Sequence, residues 1–349
     1  MLLHGRRQLP DPQRILVIQL RRIGDVLLST PAIRALSERF PGAKIDFMAE
    51  SPADEVLRGN PLIERLLIAP RQGSGESFFK FVRHVRERKY DWTIDFFSNP
   101  RSAQFAFLSG AKIRVGLDRR GRRWAFTHRV VDQETERDLY AVDLRLRILE
   151  QLGVPAITRQ MEIYSDHADL AETARVLDFL HALPADQPVV TVATGSANPA
   201  KRYPAHLMAK VIDELRRMHR TVVLTSGPGE LEFGDEIQPH LSRPVPHLTQ
   251  ARVPTLTALY RRCQLYVGPD SSPKHIAAAC GLPTVTIFGP GNPASWNDPQ
   301  NPRNIVLVAP CETRPHCDET ECARKRHIGM IQPEAVIMAA KRLLAEITE

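Results

Sequence analysis

The sequence predicts an α/β protein made of two similar domains, each with a parallel sheet and helices packed on it. Apolar runs of strand length, such as residues 14–20 and 188–193, alternate with segments of helical spacing along the chain. Alternation of this kind is typical of βαβ units. The length of 349 residues also corresponds to two domains, at roughly 150 residues for each one.

The first half contains five predicted strands and three predicted helices. The strands are placed at residues 14–20, 44–49, 64–69, 92–97 and 112–117. The helices are placed at residues 26–40, 76–88 and 137–152. Residues 155–168 are polar and irregular, and we interpret them as an inter-domain linker. The first domain is therefore predicted at residues 1–160.

The second half repeats the pattern. Strands are predicted at residues 188–193, 221–225, 264–267, 284–288 and 304–309. Helices are predicted at residues 170–183, 205–219, 254–263, 276–280 and 333–347, and a further helix follows the turn at 226–230. We predict a second domain at residues 161–330 and treat residues 331–349 as a separate final helix.

Composition limits the classes of function. A formal net charge of +7 favours anionic partners such as nucleotides, glycolipids or an acidic membrane. Nucleic acid is disfavoured, because only 6% of the residues are aromatic and no aromatic–basic pattern is present. No run of 18 apolar residues and no signal-peptide core occur, and the five cysteines are odd in number. These features favour a cytoplasmic protein.

The most informative stretch is residues 268–275, which lies between a predicted strand and a predicted helix. A helix start offers backbone N–H groups and the positive end of a dipole, so it suits phosphate. Ser271 and Ser272 can cap the helix or donate to a phosphate, and Lys274 and His275 add positive charge. Asp270 is either a part of this site or a simple turn residue. The alternative for the whole stretch is a serine-capped helix without a ligand.

Other turns that follow predicted strands also carry candidate residues. Asp25 is either a first-turn helix residue or a general base for an acceptor hydroxyl. Lys201 and Arg202, in the turn that begins near Ser196, are either a solvated pair or the groups that neutralise a leaving diphosphate. Glu230 is either a helix-dipole partner or an acceptor for ribose hydroxyls. In open parallel sheets such turns lie at the carboxyl ends of the strands, so we expect them to converge on one cleft.

Arginines dominate the segment between residues 112 and 129. A solvated loop and an anion-binding patch for the acceptor are both consistent with such a run. With the basic pair of the first turn, the candidate acceptor-binding residues are Arg21, Arg22, Arg119, Arg120, Arg122 and Arg123.

Several cofactor and metal motifs are absent from the sequence. It has neither G-x-G-x-x-G after the first strand nor G-x-x-x-x-G-K-[ST], which disfavours a dinucleotide dehydrogenase and a P-loop NTPase. It also lacks an Asp-x-Asp pair. Cys311, Cys317 and Cys322 are close in sequence, but their spacing differs from common zinc sites. Reduced thiols are the favoured interpretation of these cysteines, with a structural metal as the alternative. We predict no catalytic metal and no cofactor.

Four segments in the same order resemble glycosyltransferase family 9, the ADP-heptose:lipopolysaccharide heptosyltransferases. They are residues 14–18 with 24–26, 199–204, 227–230 and 270–279. The resemblance implies a GT-B fold, in which two Rossmann-like doubly wound domains face a central cleft. It also implies an inverting, metal-independent transfer of heptose from ADP-heptose to an inner-core lipopolysaccharide acceptor.

The resemblance also implies roles for individual residues. Asp25 matches the family's catalytic base, and Lys201 its phosphate-binding lysine. Asp270, Ser271, Ser272 and His275 match the donor-phosphate turn, while Glu230 matches the ribose-side acid. The final helix is expected to pack back on the first domain, and the enzyme to lie in the cytoplasm or at the cytoplasmic face of the inner membrane, with peripheral membrane association.

Two alternatives are open at this stage. One is a GT-B transferase that uses a different nucleotide sugar. The other is a non-catalytic protein of the same fold that binds a nucleotide sugar or a glycolipid. Turnover of a nucleotide sugar, and its dependence on Asp25, distinguishes the two transferases from the non-catalytic protein.

Overall fold

A computed structural model describes residues 9–70, 75–131, 139–196, 198–311, 320 and 327–347. The chain divides into two compact units, Met1–Tyr164 and Ser165–Glu349. The division falls inside the polar segment interpreted as a linker. Within the described ranges, no helix is both long enough and apolar enough to cross a membrane.

The first unit contains a six-stranded parallel sheet in the order β3-β2-β1-β4-β5-β6. Its strands are β1 (Arg14–Ile18), β2 (Lys44–Ala49), β3 (Arg65–Ile68), β4 (Trp92–Asp95), β5 (Ile113–Leu117) and β6 (His128–Val130). Its helices are α1 (Ile23–Leu27), α2 (Thr30–Arg39), α3 (Gly75–Glu87), α4 (Pro100–Leu108) and α5 (Ala141–Glu150). Short 3₁₀ helices occur at Ala53–Leu57 and Arg123–Ala125.

The five strands predicted in this unit are confirmed, but the helices differ in two places. The single helix predicted at residues 26–40 is two helices, α1 and α2, because the chain turns at Ser29 and Pro31 begins a new helix within its first turn. Helix α4 and strand β6 were not predicted. The signal for α4 was Asn99, which caps the helix and is followed by Pro100.

The second unit repeats the architecture with a six-stranded parallel sheet in the order β12-β11-β10-β7-β8-β9. Its strands are β7 (Val189–Ala193), β8 (Thr221–Thr225), β9 (His247–Leu248), β10 (Leu265–Pro269), β11 (Thr284–Phe288) and β12 (Asn304–Val308). Its helices are α6 (Ser165–Ala168), α7 (Leu170–His181), α8 (Ala205–Arg217), α9 (Leu231–Ile237), α10 (Val253–Tyr260), α11 (Ser272–Ala279), α12 (Pro293–Trp296) and α13 (Pro333–Ala345). Short 3₁₀ helices occur at Pro199–Lys201, Gln238–His240 and His327–Met330.

Both sheets have the Rossmann strand order. In each sheet, successive strands are added first on one side of the unit's first strand and then on its other side, so the order in which strands are added reverses beside that strand. The reversal lies between β1 and β4 in the first unit and between β7 and β10 in the second. Ligands of such sheets bind at the carboxyl ends of these strands. The turns after β1, β4, β7 and β10 are therefore the places where a site is expected.

The hydrophobic pattern explains the central strands. The strands β1, β7 and β10 are flanked by strands on both sides, and their side chains are nearly all buried. Continuous apolar runs of this kind are typical of parallel strands covered on both faces. Helix α13 contributes Val336, Ala340, Leu343 and Leu344 to the core of the second unit, where it packs against α8 and the strands β10 to β12.

Gly116 in β5 lies directly under the ring of Phe126. A Cβ atom built at Gly116 would lie 2.4 Å from the Phe126 Cζ atom. We expect Gly116→Ala to lower the free energy of unfolding by about 1–3 kcal/mol, because overpacking of a core forces its neighbours to move. Urea denaturation of the two proteins measures the difference.

Gly42 provides the matched control for this prediction. A Cβ atom at Gly42 would meet nothing within 4 Å. We expect Gly42→Ala to change the free energy of unfolding by less than about 0.5 kcal/mol. Equal effects of the two substitutions would show that the Phe126 contact does not restrict residue 116.

Candidate active site

Asp25 lies in the first turn of α1, directly beyond the carboxyl end of β1. Its side chain is 22% exposed, so the carboxylate does not point into the core. One oxygen, Oδ1, accepts a hydrogen bond from Arg145 Nη2 at 3.2 Å. The other, Oδ2, accepts from the Arg22 backbone N–H at 3.5 Å. Asp25 is thus a helix-start residue with a partly exposed carboxylate. Its role as a general base stays a prediction.

Arg145 on α5 was not among the sequence candidates, although the sequence carries a signal for it. The buried face of α5 contains Ala141, Val142, Leu146 and Leu149, and Arg145 occupies the same face. A charged residue inside an apolar helical stripe indicates a buried partner. Burial lowers the pKa of Arg145, and the neighbouring Asp25 carboxylate opposes that shift.

Arg21 and Arg22, the two basic residues of the turn after β1, are exposed. Arg22 begins α1, and the 59% exposed Arg21 lies 3.4 Å from the buried Glu50 carboxylate at the end of β2. Arg101, in the first turn of α4, pairs with the same carboxylate. Two arginines therefore share one buried acid at the carboxyl edge of the first sheet. Arg101 and Glu50 were not predicted, because neither belongs to a recognisable sequence pattern.

The predicted basic loop follows β5. Arg119, Arg120 and Arg123 are exposed, and Arg122 is half-buried. Arg123 is paired with Asp118 at 2.5 Å. The loop and the turn after β1 are carried by strands that β4 separates. Binding of an acceptor by these arginines stays a prediction.

Asp95, at the carboxyl end of β4, is a buried carboxylate that the sequence did not single out. It accepts hydrogen bonds from the backbone N–H groups of Phe97 and Ser98 and from Ser102 Oγ. Burial raises the pKa of Asp95 to about 7, although these hydrogen bonds oppose the shift. These hydrogen bonds stabilise the turn between β4 and α4, so Asp95 has a structural role at this edge of the sheet.

In the second unit, the turn after β7 and the turn after β10 are joined by an ionic cluster of three side chains. Lys201 Nζ lies 2.9 Å from Asp270 Oδ2, and Lys274 Nζ lies 3.2 Å from Asp270 Oδ1. Because β7 and β10 are neighbours in the sheet, this contact joins two turns at one edge. The structure therefore brings together Lys201 and Asp270, two of the predicted donor-site residues.

The two lysines differ in their surroundings. Lys274 is 3% exposed and also donates to the Trp296 carbonyl and to Asn297 Oδ1, so it fastens α12 rather than facing solvent. Lys201 keeps 20% of its side chain exposed. Burial alone would raise the pKa of Asp270, but Lys274 and Lys201 outweigh it and lower the value to about 2. The ionised cluster carries one net positive charge, and Lys201 is its exposed cation.

Helix α11 begins beside this cluster. Ser271 is its N-cap residue in extended conformation, Ser272 is its first residue, and both are half-buried. His275 is 6% exposed and contacts the Trp296 ring edge-on at a centroid distance of 6.3 Å. The predicted helix start is confirmed, although the helix begins four residues earlier than the predicted 276–280 segment. Its amide groups add to the positive potential at this edge.

Arg202 is held by contacts within its own unit. Its guanidinium carbon lies 3.7 Å from the centre of the Phe233 ring, and its Nε donates to the Ser196 carbonyl at 2.8 Å. Ser196 Oγ accepts from the Asn198 backbone N–H at 3.2 Å. Glycine is needed at residue 195, because a Cβ atom there would lie 2.2 Å from Phe233. Arg202 and Ser196 thus shape the turn, and their contact with a donor stays a prediction.

Glu230 closes the turn after β8. Its Oε2 accepts a hydrogen bond from the Gly227 backbone N–H at 3.1 Å, and the residue is half-buried at the start of α9. The strand β8 neighbours β7, so this turn lies at the same edge as Lys201. Recognition of a ribose by Glu230 stays a prediction.

The cysteine segment is described only in part. Cys311 is half-buried and not in a disulfide, whereas Cys317 and Cys322 lie outside the described residues. In the described ranges, no group of three or more His, Cys, Asp or Glu side chains is arranged to hold a metal ion.

Loss of the Asp270 charge should weaken the second unit. In Asp270→Asn, the buried Lys274 loses its carboxylate partner, and we expect the free energy of unfolding at pH 7 to fall by about 3 kcal/mol. The difference in free energy of unfolding between the wild-type protein and Asp270→Asn should shrink as the pH falls from 3.8 towards 2. Asp270 has a lowered pKa and gains its proton in this range. Urea denaturation across this pH range measures both effects.

The matched control is Glu346→Gln, which removes a carboxylate whose partner Arg342 is exposed, in the same unit. We expect it to change the free energy of unfolding by less than about 1 kcal/mol. A comparably small effect of Asp270→Asn would show that Lys274 does not need the carboxylate.

Each unit has the Rossmann strand order, with a partly exposed carboxylate beyond β1 in one and a cationic cluster beside a helix start in the other, an arrangement typical of α/β proteins that bind nucleotides. The sequence model of glycosyltransferase family 9 (heptosyltransferase) matches residues 78–327. The chain belongs to this family, and the protein is a glycosyltransferase. The recognition from the four sequence segments is thereby confirmed.

Individual relatives agree with this assignment. Lipopolysaccharide heptosyltransferase 3 of Escherichia coli is 29% identical over 343 residues, covering 94% of this chain and 98% of that protein. A solved glycosyl transferase family 9 structure from Veillonella parvula has a TM-score of 0.84 at 27% identity, covering 96% of this chain and 98% of that one. The E. coli heptosyltransferase WaaC, solved with ADP-2-deoxy-2-fluoro heptose, has a TM-score of 0.70 at 19% identity over 95% and 99% of the two chains. The predicted GT-B fold is confirmed.

Proposed function

We propose that this glycosyltransferase moves a heptose from ADP-heptose to an inner-core lipopolysaccharide acceptor, with inversion at the anomeric carbon and without a metal ion. The names of the family and of its lipopolysaccharide relatives support a heptose and a lipopolysaccharide acceptor. The structure of WaaC with ADP-2-deoxy-2-fluoro heptose supports ADP as the nucleotide of the donor. The observation that carries the proposal is the cluster of Lys201, Asp270 and Lys274 beside the start of α11.

The cluster suits a leaving diphosphate. When the bond between the sugar and ADP breaks, negative charge grows on the bridging phosphate oxygen. Lys201 is fixed by the ionised Asp270 and is the exposed cation of the cluster. Together with the amide groups at the start of α11, it stabilises that charge without reorganising during the reaction. Side-chain cations and a helix dipole thus provide the neutralisation that the diphosphate requires.

Asp25 is the proposed base. The acceptor hydroxyl loses its proton to the Asp25 carboxylate as its oxygen forms a bond to the anomeric carbon. The bond from that carbon to the diphosphate breaks, and ADP leaves with the electron pair. Attack from the side opposite the leaving group inverts the anomeric centre. Asp25 can take this role because its carboxylate is partly exposed in a fixed helix turn.

The acceptor is proposed to be an anionic glycolipid held by the basic turns of the first unit. Arginine forks recognise phosphate and carboxylate groups in two-pronged geometry. Exposed arginines after β1 and β5 supply such groups. We also propose peripheral association with the cytoplasmic face of the inner membrane, where an acceptor with a lipid anchor would be presented.

A donor and acceptor screen tests the function. The protein is incubated with ADP-heptose, ADP-glucose or UDP-N-acetylglucosamine, each with heptose-deficient lipopolysaccharide core. We expect nucleotide release and a product one heptose heavier with ADP-heptose only, unchanged by EDTA, and with an inverted anomeric configuration by NMR. Turnover of another donor would support the alternative transferase, and binding without turnover would support a non-catalytic protein.

A further inference from the structure

We infer that Arg145 is the positioning residue of the base. It holds Oδ1 of the Asp25 carboxylate and thereby leaves Oδ2 as the oxygen that takes the proton from the acceptor hydroxyl. The inference rests on the proposed function, because it requires Asp25 to act as the base.

The contacts of Arg145 use all three nitrogens of its guanidinium group. Nη2 donates to Asp25 Oδ1 at 3.2 Å and to the Asp25 carbonyl at 3.1 Å. Nε donates to Ser29 Oγ at 3.0 Å, and Nη1 donates to the Ala141 carbonyl at 2.7 Å. Ser29 Oγ in turn donates to the Asp25 carbonyl at 2.9 Å. Arg145 therefore fixes both the backbone and the side chain of the proposed base.

The side chains of Arg145 and Asp25 are buried to different extents. The Arg145 side chain is 7% exposed, whereas that of Asp25 is 22% exposed. A buried guanidinium stays charged, since arginine does not lose its proton in proteins. The positive charge of Arg145 therefore lies on the buried side of the Asp25 carboxylate, in contact with Oδ1. In the part of the chain that the structure describes, the Oδ2 atom is held only by the 3.5 Å contact with the Arg22 N–H, so it is the oxygen that can accept a new proton.

Other charged groups also surround α1. The 3₁₀ helix Ala53–Leu57 packs against α1 and carries Asp54 and Glu55, of which Asp54 is paired with Arg58. The turn before α1 carries Arg21 and Arg22, and Tyr140 interacts with Arg145. Among the described residues, Arg145 is the one of these groups whose side chain donates a hydrogen bond to the Asp25 carboxylate. Loss of Arg145 should thus free the carboxylate to rotate.

The test compares kcat and KM of Arg145→Met, Arg145→Lys and the wild-type enzyme. We expect Arg145→Met to lower kcat about 10²-fold, because misplacement of a reacting group by about 1 Å has this effect. The KM for the donor should stay unchanged. Arg145→Lys keeps a cation and should retain more of the wild-type kcat than Arg145→Met, and added guanidinium ion should partly restore Arg145→Met.

Arg88→Met is the matched control. Arg88 is 12% exposed and pairs with the buried Asp46 at 2.8 Å in the same unit, and it belongs to no part of the proposed site. The inference is overturned if Arg145→Met loses no more kcat than Arg88→Met, or if neither Arg145→Lys nor added guanidinium ion restores any of the lost kcat. Ser29→Ala covers the case in which Arg145→Met does not fold, because it removes one hydrogen-bond partner of Arg145 together with the hydrogen bond that Ser29 Oγ donates to the Asp25 carbonyl. We expect about a tenfold lower kcat with an unchanged donor KM, and wild-type kcat in Ser29→Ala would then overturn the inference.

The failure of this inference can be separated from that of the proposed function. Wild-type turnover with ADP-heptose is measured first, and its absence overturns the proposed donor. The Arg145 variants are then compared with whichever nucleotide sugar the wild-type enzyme uses. If the wild-type enzyme turns over none, both the base role of Asp25 and the inference are overturned.

Discussion

Replacement of Asp25 by asparagine is expected to lower kcat for sugar transfer by about 10²–10⁴-fold, the usual contribution of a general base. Asparagine has nearly the same shape and can accept from Arg145 through its carbonyl oxygen, so the turn should keep its form. It cannot take a proton from the acceptor hydroxyl. Rates of ADP release with saturating donor and acceptor measure the effect, and calorimetry should show unchanged binding of ADP.

Asp143→Asn is the control for this prediction. Asp143 is a half-buried carboxylate of the same unit, also in the first turn of a helix, and it pairs with Arg159 at 2.6 Å. We expect its replacement to leave kcat within about threefold of the wild-type value, since exposed or half-exposed pairs contribute little. If Asp25→Asn and Asp143→Asn had the same kcat, Asp25 would be a helix-start residue only.

The repeated sheet could be predicted because its central strands are continuous apolar runs bounded by turn residues. The strands at residues 44–49, 221–225 and 284–288 begin and end where the sequence placed them. In these strands nearly all side chains are buried, so most residues carry the signal. Strand β6 has three residues and β9 has two, which is too short for periodicity to be seen. The alternation of strands and helices predicted two similar domains. The identical strand order of their sheets was established by the structure.

The candidate site could be predicted where residues follow a strand directly. Asp25 and Lys201 were found in this way, because the ends of parallel strands meet at one edge. Arg145 could not be found in this way, because it contacts Asp25 from a helix 120 positions further along the chain. Lys274 illustrates a different limit. Its sequence position suggested a phosphate-facing charge, but its side chain turns inward to Asp270 and α12.

Replacement of Lys201 by methionine is expected to lower kcat by about 10²–10³-fold, in the range measured when one group that stabilises developing charge is removed. Methionine retains most of the side-chain length but lacks the charge. Asp270 keeps its second partner, Lys274, so the buried part of the cluster survives. Because Lys201 is expected to act on phosphate, affinity for ADP should fall while affinity for adenosine stays the same. Calorimetric titration with the two ligands separates these outcomes.

Lys210→Met is the matched control, because Lys210 is an exposed lysine on α8 of the same unit. It should leave both affinities and kcat unchanged, since removal of an exposed charge distant from the ligand is screened by water and salt. A parallel loss of ADP and adenosine affinity in Lys201→Met would mean that the turn had collapsed rather than lost a phosphate contact. Unchanged ADP affinity together with wild-type kcat would instead place the diphosphate elsewhere and remove the observation on which the proposed function depends.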